Sequence, residues 1–365
     1  MSPLISIVIP TRSRAETLGA TLRSALESDF DDYEVIVSDN MSEDRTRQVV
    51  DELTGPRLRY FRTDKRLSMC DNWDFALTKV KGRFVIFIGD DDAIVPGGVE
   101  RLAAKITELP EQRAYTWRTS TYQWPIDGVP AKLVYDSGRG DGGHSVGDLR
   151  RAATRVMQRG GWGYYWLPST YHGAIASDVL FEIARTTGRL FHSTVPDLFT
   201  ALAIPALVPQ FVRLSSAVTI QGRSAKSNGG SSIASDGAEV MARFIREYGD
   251  YAIHPTMPVI FRPVGSLIVD SFLRAKDMFP ALYDRVPFNY SAMWAFLRRL
   301  ELVDRGDVYA MLDSIRRHHR FSRLTFEAYC AVHDVLALRR SLLSRLSDRQ
   351  ERAVPANIYD FAHQL

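Results

Sequence analysis

The sequence predicts an α/β protein: a doubly wound sheet followed by a helical C-terminal region. Three observations carry that reading. Leu4–Ile9, Tyr33–Ser38 and Phe84–Ile88 are near-continuous apolar, β-branched runs, as strands buried on both faces of a parallel sheet tend to be. Between them, apolar residues recur at helical spacing. From Asp236 onward the strand-like runs give way to helical patterns punctuated by prolines.

Each element follows in order. Leu4–Ile9 is closed by Pro10, and Arg14–Leu26 then places Leu18, Leu22, Ala25 and Leu26 at helical spacing. Tyr33–Ser38 is the second strand, ended by Asp39-Asn40. Ser42 or Asp44 caps the next helix, whose apolar side includes Val49, Val50 and Leu53 and which Gly55-Pro56 breaks. Leu58–Phe61 reads as a short strand, Met69–Val80 as a helix stopped by Lys81-Gly82, and Phe84–Ile88 as the fourth strand. Pro96 suits the first turn of a helix running to Leu109. The order β-α-β-α-β-α-β is that of a doubly wound sheet. Arg113–Ser120 is strand-like, and the stretch from Tyr122 to Asp148, rich in Gly, Pro and Asp, reads as an excursion. Val146–Gln158 reads as an amphipathic helix, Tyr171–Ser177 as a strand returning to the core, and Phe211–Ile220 as another strand. Pro196-Asp197 opens an apolar helix between the last two. Helices are predicted over 238–248, 259–278, 290–303, 307–318 and 325–346, and near the end of the chain.

Composition bounds the function. The 365 residues are 45% hydrophobic and 24% charged, enough apolar content for a substantial core. A net charge of +3 is too mild to argue for nucleic acid. Two cysteines, Cys70 and Cys330, stand in no metal-like spacing and point to a reducing compartment. The N-terminal apolar run is too short for a signal peptide, and no run reaches the length of a membrane span. The expectation is a cytoplasmic protein whose membrane contact, if any, is peripheral.

The chemistry gathers where the strands end. Phe84–Ile88 runs into Asp90, Asp91 and Asp92. Carboxylates so close repel, and stay ionised only against a cation or strong hydrogen bonds. Hard divalent cations take such oxygen ligands and often share them with substrate phosphates; a solvated acidic turn or a helix N-terminus is the plainer alternative. Thr11, Arg12 and Arg14 follow the first strand and Asp39 the second. Ligands of doubly wound sheets bind beyond these carboxyl ends, so the convergence suits a nucleotide diphosphate with its metal. No GxGxxG follows the first strand, and no GxxxxGK[ST] occurs.

Taken together, ISIVIPTRSR, EVIVSDNMSED and RFVIFIGDDDAIVPGGVERL, with SMCDNWDFAL between the last two, resemble the N-terminal half of a family 2 glycosyltransferase of GT-A fold. The likeness covers about the first 110 residues and extends more loosely to about residue 235. It implies a Rossmann-like, doubly wound mixed sheet over 1–235, with a nucleotide-sugar half at 1–110 and an acceptor half at 111–235. Residues 236–365 form a helical region. It also implies a metal-dependent, inverting, hexosyltransferase-type enzyme that moves a sugar from a nucleotide-diphospho-sugar to an acceptor hydroxyl in cell-surface polysaccharide or glycolipid synthesis.

Residue by residue, the resemblance puts Thr11, Arg14 and Asp39 on the nucleotide. A carboxylate can accept a uracil imide N–H and Arg can pair with phosphate, which favours a UDP-sugar donor. It puts Asp91 at the metal position, with Mn²⁺ or Mg²⁺ as the ion, Asp90 toward the ribose or metal-bound water, and Asp92 as a further ligand or support. Gly89 stands where the family often has its first Asp. Arg66, and Asp71, Asn72 and Trp73 after it, fall where the family places donor contacts; a helix cap and a core Trp are the plain reading. Asp197 matches the general base, and an N-cap is its plain reading. Trp162, Tyr164 and Trp166 suit sugar stacking or loop packing, and His172 reads as structural. The loop Gly222–Ile233, with Arg223 and Lys226, suits closure over a diphosphate or is a surface linker.

The acceptor implied is a saccharide or lipid-linked saccharide. Between Arg298 and Arg352 twelve Arg stand against eight Asp or Glu, a balance that fits an anionic membrane face, a homodimer interface or a solvated helical surface. Two other readings compete with the transferase. A nucleotidyltransferase also uses Mg²⁺ and acidic residues, yet wants glycines after the first strand, and Pro10–Arg14 has none. A non-catalytic nucleotide-binding scaffold would not need carboxylates at both stations.

Overall fold

The computed structural model of the chain describes residues 2–126, 128–135, 137, 140–226, 246–249, 253–255, 263–300, 303–346 and 354–365. The predicted helix over 238–248 and the loop beyond Lys226 lie almost wholly outside the described residues, as does the start of the helix predicted over 259–278.

The expected α/β order is present. It runs β1 (Ile5–Thr11), α1 (Ala15–Leu26), β2 (Tyr33–Asp39), α2 (Thr46–Asp51), β3 (Leu58–Arg62), α3 (Met69–Leu77) and β4 (Phe84–Phe87). There follow β5 (Ala93–Ile94), α4 (Gly98–Glu108), β6 (Ala114–Thr116), β7 (Ser120–Gln123), β8 (Lys132–Tyr135), β9 (His144–Asp148), α5 (Leu149–Gln158), β10 (Gly173–Ala176), α6 (Ser177–Thr187), α7 (Pro196–Ala203), β11 (Gln210–Leu214) and β12 (Thr219–Arg223). The large sheet has the order β3-β2-β1-β4-β10-β6-β11-β9 and the small one β5-β12-β7-β8. β1 is parallel to β2 and β4, and β2 to β3; β10 is antiparallel to both β4 and β6, and β11 is parallel to β6. The carboxyl ends of β1, β2, β3, β4, β6 and β11 therefore share one edge with the amino end of β10.

The buried face explains the strands. Every residue of β2 and β4 is buried, as a sheet covered on both sides requires. Trp73 stacks on Phe87 at 4.8 Å, and Phe191 meets both rings edge-on at 5.4 and 5.6 Å. That clamp fixes the strand entering the aspartates. Trp73 is thus a core residue, Ser68 caps α3 and Asn72 bonds Ser38 at 2.8 Å, which is the plain reading of that segment. One continuous apolar core joins the sheet and α7 to the C-terminal helices Pro263–Met278, Tyr290–Arg299 and Arg323–Leu346.

The small sheet is what the sequence patterns did not predict, and together with β9 at the edge of the large sheet it corrects four boundaries. Arg113–Ser120 divides between β6 and β7, and Phe211–Ile220 between β11 and β12, because the chain crosses from one sheet to the other at each point. Val146–Gln158 is helical only from Leu149; His144–Asp148 pairs with β11, and Asp148 caps α5. Pro96 precedes its helix: β5 keeps the chain extended, Val95 N–H bonds Val218 O at 2.9 Å, and Gly97 turns it at φ 70°. The helix over 307–318 is two helices, Arg305–Ala310 and Leu312–His318. The helix at the chain's end, Ile358–Ala362, seals a second apolar cluster with Ala20, Ala93, Tyr122, Trp124 and Ile220.

Candidate active site

Parallel register assembles the first station. Thr11 pairs with Asp39, and Asp39 with Arg62, rung to rung across β1, β2 and β3. Asp39 is fully buried; Ser42 N–H donates to its Oδ1 at 2.8 Å, the Tyr60 hydroxyl donates to Oδ2, and Arg62 lies 3.5 Å from Oδ2. β1 then delivers Thr11 to the aspartate loop. Thr11 Oγ1 donates to Asp90 Oδ2 at 2.7 Å, and Arg14 Nη1 stands 3.5 Å from Asp90 Oδ1. Arg14 also reaches the backbone carbonyl of Lys226, at the last described residue before the glycine-rich loop continues.

The three aspartates have three environments. Asp92 is fully enclosed and faces inward: Tyr171 donates to Oδ2 at 2.7 Å, Gly222 N–H to Oδ1 at 2.7 Å, Gly89 N–H also bonds Oδ2, and His172 Nε2 stands 3.3 Å from Oδ2. Burial opposes its charge, but His172 and these donors outweigh burial and hold its carboxyl below the usual range. Asp90 is pushed up by burial, with Arg14 and Thr11 opposing. Asp91 accepts from Ser224 N–H at 3.0 Å and Ser224 Oγ at 2.7 Å. Burial, then Asp92 and Asp90, raise its carboxyl to about 7. Like charges crowd this loop faster than the protein compensates them.

Close backbone packing holds the loop. A Cβ on Gly222 would stand 1.7 Å from Asp91 O, so β12 can lie there only with glycine. Trp124 Nε1 donates to the same carbonyl at 2.8 Å, and Thr21 Oγ1 to Asp92 O at 2.7 Å. Gly89 has a similar reason: a Cβ there would lie 3.0 Å from both Asp91 Oδ1 and Asp92 Oδ2. The departure at Gly89 is the space through which the two carboxylates pack.

Asp197 comes from the other side. α7 begins at Pro196 with Val195 as N-cap, so the N-cap reading of Asp197 gives way to a first-turn position. Thr170 N–H and Oγ1 lie 3.4 and 3.2 Å from Thr200 Oγ1, which seats α7 at the amino end of β10, beside Tyr171 and His172. Burial raises the Asp197 carboxyl, opposed by the amides of its own helix start and by His172. Arg66 stays at the rim: it is exposed and 3.4 Å from Glu247, which Arg12 binds at 2.9 and 3.0 Å. Of the aromatic loop, Trp162 packs on His333 and Tyr164 on Phe272 and Phe296, while Trp166 lies against Arg118 and Arg213.

Sequence reasoning missed Arg62, Tyr171, Ser224 and the role of His172 beside Asp92. Arg62 was within reach of it, since a parallel register aligns the ends of successive strands. The others come from strands distant in sequence. Among the described residues no group of three or more His, Cys, Asp or Glu forms a complete metal cage. Asp90 and Asp91 instead offer carboxylate oxygens in a loop with excess negative charge, a chemistry that would suit a hard divalent cation completed by ligands from outside the protein.

Residues 6–135 match the family model described as Glycosyl transferase family 2. A GalNAc(5)-diNAcBac-PP-undecaprenol beta-1,3-glucosyltransferase of Campylobacter jejuni is 34% identical over 109 residues, 29% of this chain and 35% of the relative. A putative colanic acid biosynthesis glycosyl transferase, WcaA of Escherichia coli, is 31% identical over 110 residues, 30% of this chain and 39% of the relative. The chain thus spans just over a third of the length of these curated relatives. Among solved structures, Staphylococcus aureus TarS 1-349 in complex with UDP-GlcNAc aligns with a TM-score of 0.51 at 16% identity over 92% of each chain, a likeness of fold. The chain has the GT-A fold and carries a glycosyl transferase family 2 domain over residues 6–135.

Proposed function

We propose that this chain is a metal-dependent, inverting glycosyltransferase that takes a UDP-sugar as donor and a lipid-linked saccharide as acceptor. We take residues 1–235 as its transferase domain and 236–365 as a helical region packed on it. The observation that carries the reading is the convergence of two carboxylate stations and a separate half-buried acid on one sheet edge. Thr11, Arg14 and Asp39 form the nucleotide station, with Arg66 at its rim. Asp91 and Asp90 hold the cation, Mn²⁺ or Mg²⁺. Asp92, whose oxygens are engaged by protein donors, anchors the loop. When bound, the cation offsets the charge of the leaving diphosphate.

Asp197 supplies the base. Its carboxylate takes the proton of an acceptor hydroxyl as that oxygen attacks the anomeric carbon. The bond from that carbon to the diphosphate oxygen breaks, and its electron pair leaves with UDP. Attack opposite the leaving group inverts the centre. The raised carboxyl of Asp197 supports the role, since a general base works best when its pKa approaches the working pH. The relative named for beta-1,3 transfer to a PP-undecaprenol saccharide supports the acceptor class and the β product. No described helix is long and apolar enough to cross a membrane, so a lipid-linked acceptor would be met at the membrane surface.

The test is UDP release from a panel of UDP-sugars with Mn²⁺, for wild type, Asp91→Asn and Asp197→Asn. Release by wild type and loss of Mn²⁺-dependent UDP binding in Asp91→Asn alone are expected. Normal transfer by Asp197→Asn would reassign the base.

A further inference from the structure

Arg118, Trp166 and Arg213 form a cationic cluster outside the carboxylate site. The Arg118 guanidinium lies 4.5 Å from the Trp166 ring centroid and that of Arg213 lies 5.2 Å from it. Arg213 Nη2 also donates to Trp166 O at 2.9 Å, so the pair is tied to the short turn Tyr164–Trp166. Arg118 is exposed, Arg213 half-buried and Tyr165 beside them 43% exposed. Burial lowers the Arg213 pKa and the Arg118 charge lowers it further. Among the described residues, no carboxylate forms an ion pair with either guanidinium. Two like charges held at one ring, with no acid to offset them, are costly unless an anion joins them.

Their position gives the anion a role. Arg118 follows β6 and Arg213 lies in β11, paired with Thr116, so both stand at the edge that carries the aspartates. Trp117, next to Arg118, donates through Nε1 to Thr219 Oγ1 at 2.7 Å. Thr219 Oγ1 lies 2.8 Å from His172 Nδ1, and His172 flanks Asp92. Tyr164, in the same turn as Trp166, feels the Asp197 charge. The cluster therefore lies on the side of the candidate base, away from the nucleotide station on β1–β3.

We propose that Arg118 and Arg213, braced on Trp166, bind the diphosphate of the acceptor, so that the saccharide attached to it reaches Asp197. The inference rests on the transferase reading for its acceptor, but the anion site is testable alone. Guanidinium forks match phosphate oxygens, and an indole beneath them fixes their planes.

The probe is inorganic pyrophosphate, titrated into the whole chain in EDTA with tryptophan fluorescence as readout. Wild type should give a saturable change that Trp166→Phe removes. Arg118→Gln should weaken it by about tenfold or more, the loss expected of a charge-assisted hydrogen bond, while melting as wild type does. Arg14→Ala, at the nucleotide station, should leave it unchanged. An Arg118→Gln titration equal to wild type, or loss of the signal in Arg14→Ala, would overturn the site, as would competition by phosphatidylglycerol vesicles, which would reassign the pair to a membrane surface. In transfer assays, Arg118→Gln should raise KM for a diphosphate-linked saccharide about tenfold. KM for the UDP-sugar, and for an uncharged alkyl glycoside of the same saccharide, should not move. Equal loss on both acceptors would contradict a diphosphate subsite. If the transferase reading fails, the pyrophosphate titration still stands or falls separately.

Discussion

Asp91→Asn should make the metal-free protein more stable at pH 8, although it removes a central residue of the candidate site. In the free protein the Asp91 carboxyl is lifted from 3.8 to about 7 by burial and by Asp92 and Asp90. A carboxyl raised on folding contributes stability that is complete below its unfolded pKa. That contribution fades as pH rises through its folded pKa. Keeping this group ionised at pH 8 therefore costs the fold up to about 4 kcal/mol. Asparagine keeps an oxygen for Ser224 N–H and Oγ and carries no charge. In EDTA, the stability of Asp91→Asn over wild type should grow from pH 5 to pH 8, reaching a few kcal/mol by denaturant titration. With Mn²⁺ and UDP the gap should narrow and then close. Wild type gains by mass action, about 2.7 kcal/mol when ligand is at 100 times Kd and about 4.1 kcal/mol at 1,000 times Kd, and the variant does not. A variant less stable than wild type in EDTA at pH 8, or a difference independent of pH, would refute the electrostatic reasoning.

Other perturbations test other parts. Asp197→Asn should lower transfer by about 10²–10⁴-fold with UDP binding intact. In wild type, transfer should rise with pH through a pKa above the usual 3.8, because burial raises this carboxyl and the base must be ionised; the variant's pH–rate profile should lack that limb. Gly222→Ala should cost roughly 1–3 kcal/mol in a thermal melt and weaken Mn²⁺ binding, because its Cβ would drive into the Asp91 carbonyl. Phe361→Ala removes a buried ring 5.1 Å from that of Tyr122 and should cost up to about 3–5 kcal/mol locally. Limited proteolysis should then cut near the C-terminal helix first, and unchanged resistance would contradict its packing role.

The first half of the fold was legible because its signals are local. β1, β2 and β4 are apolar runs buried on both faces, and Thr11, Asp39 and Asp90 stand where those runs stop. Parallel register then brings them together without further information. The small sheet was not legible. β5 is two residues long, and β7 and β12 continue chain segments that begin in the large sheet, so no break in pattern marks the crossing. β9 is an exposed edge strand whose Val146 sits at helical spacing from Leu149 and Ala153, which made strand and helix read as one element. The partners of Asp92 and Asp91 arrive from Tyr171, His172, Gly222 and Ser224, far along the chain, and no spacing announces them. Gly89 was legible only as a departure. Its reason, the close approach of two carboxylates, is a property of the packed loop.

The most direct test of the central claim is calorimetric titration of UDP into the wild-type chain with and without Mn²⁺, repeated with Asp91→Asn. Saturable binding that needs Mn²⁺ in wild type and is lost in the variant is the predicted result. Equal binding with and without the metal, or no UDP binding by a folded protein, would contradict a metal–diphosphate site at the end of β4.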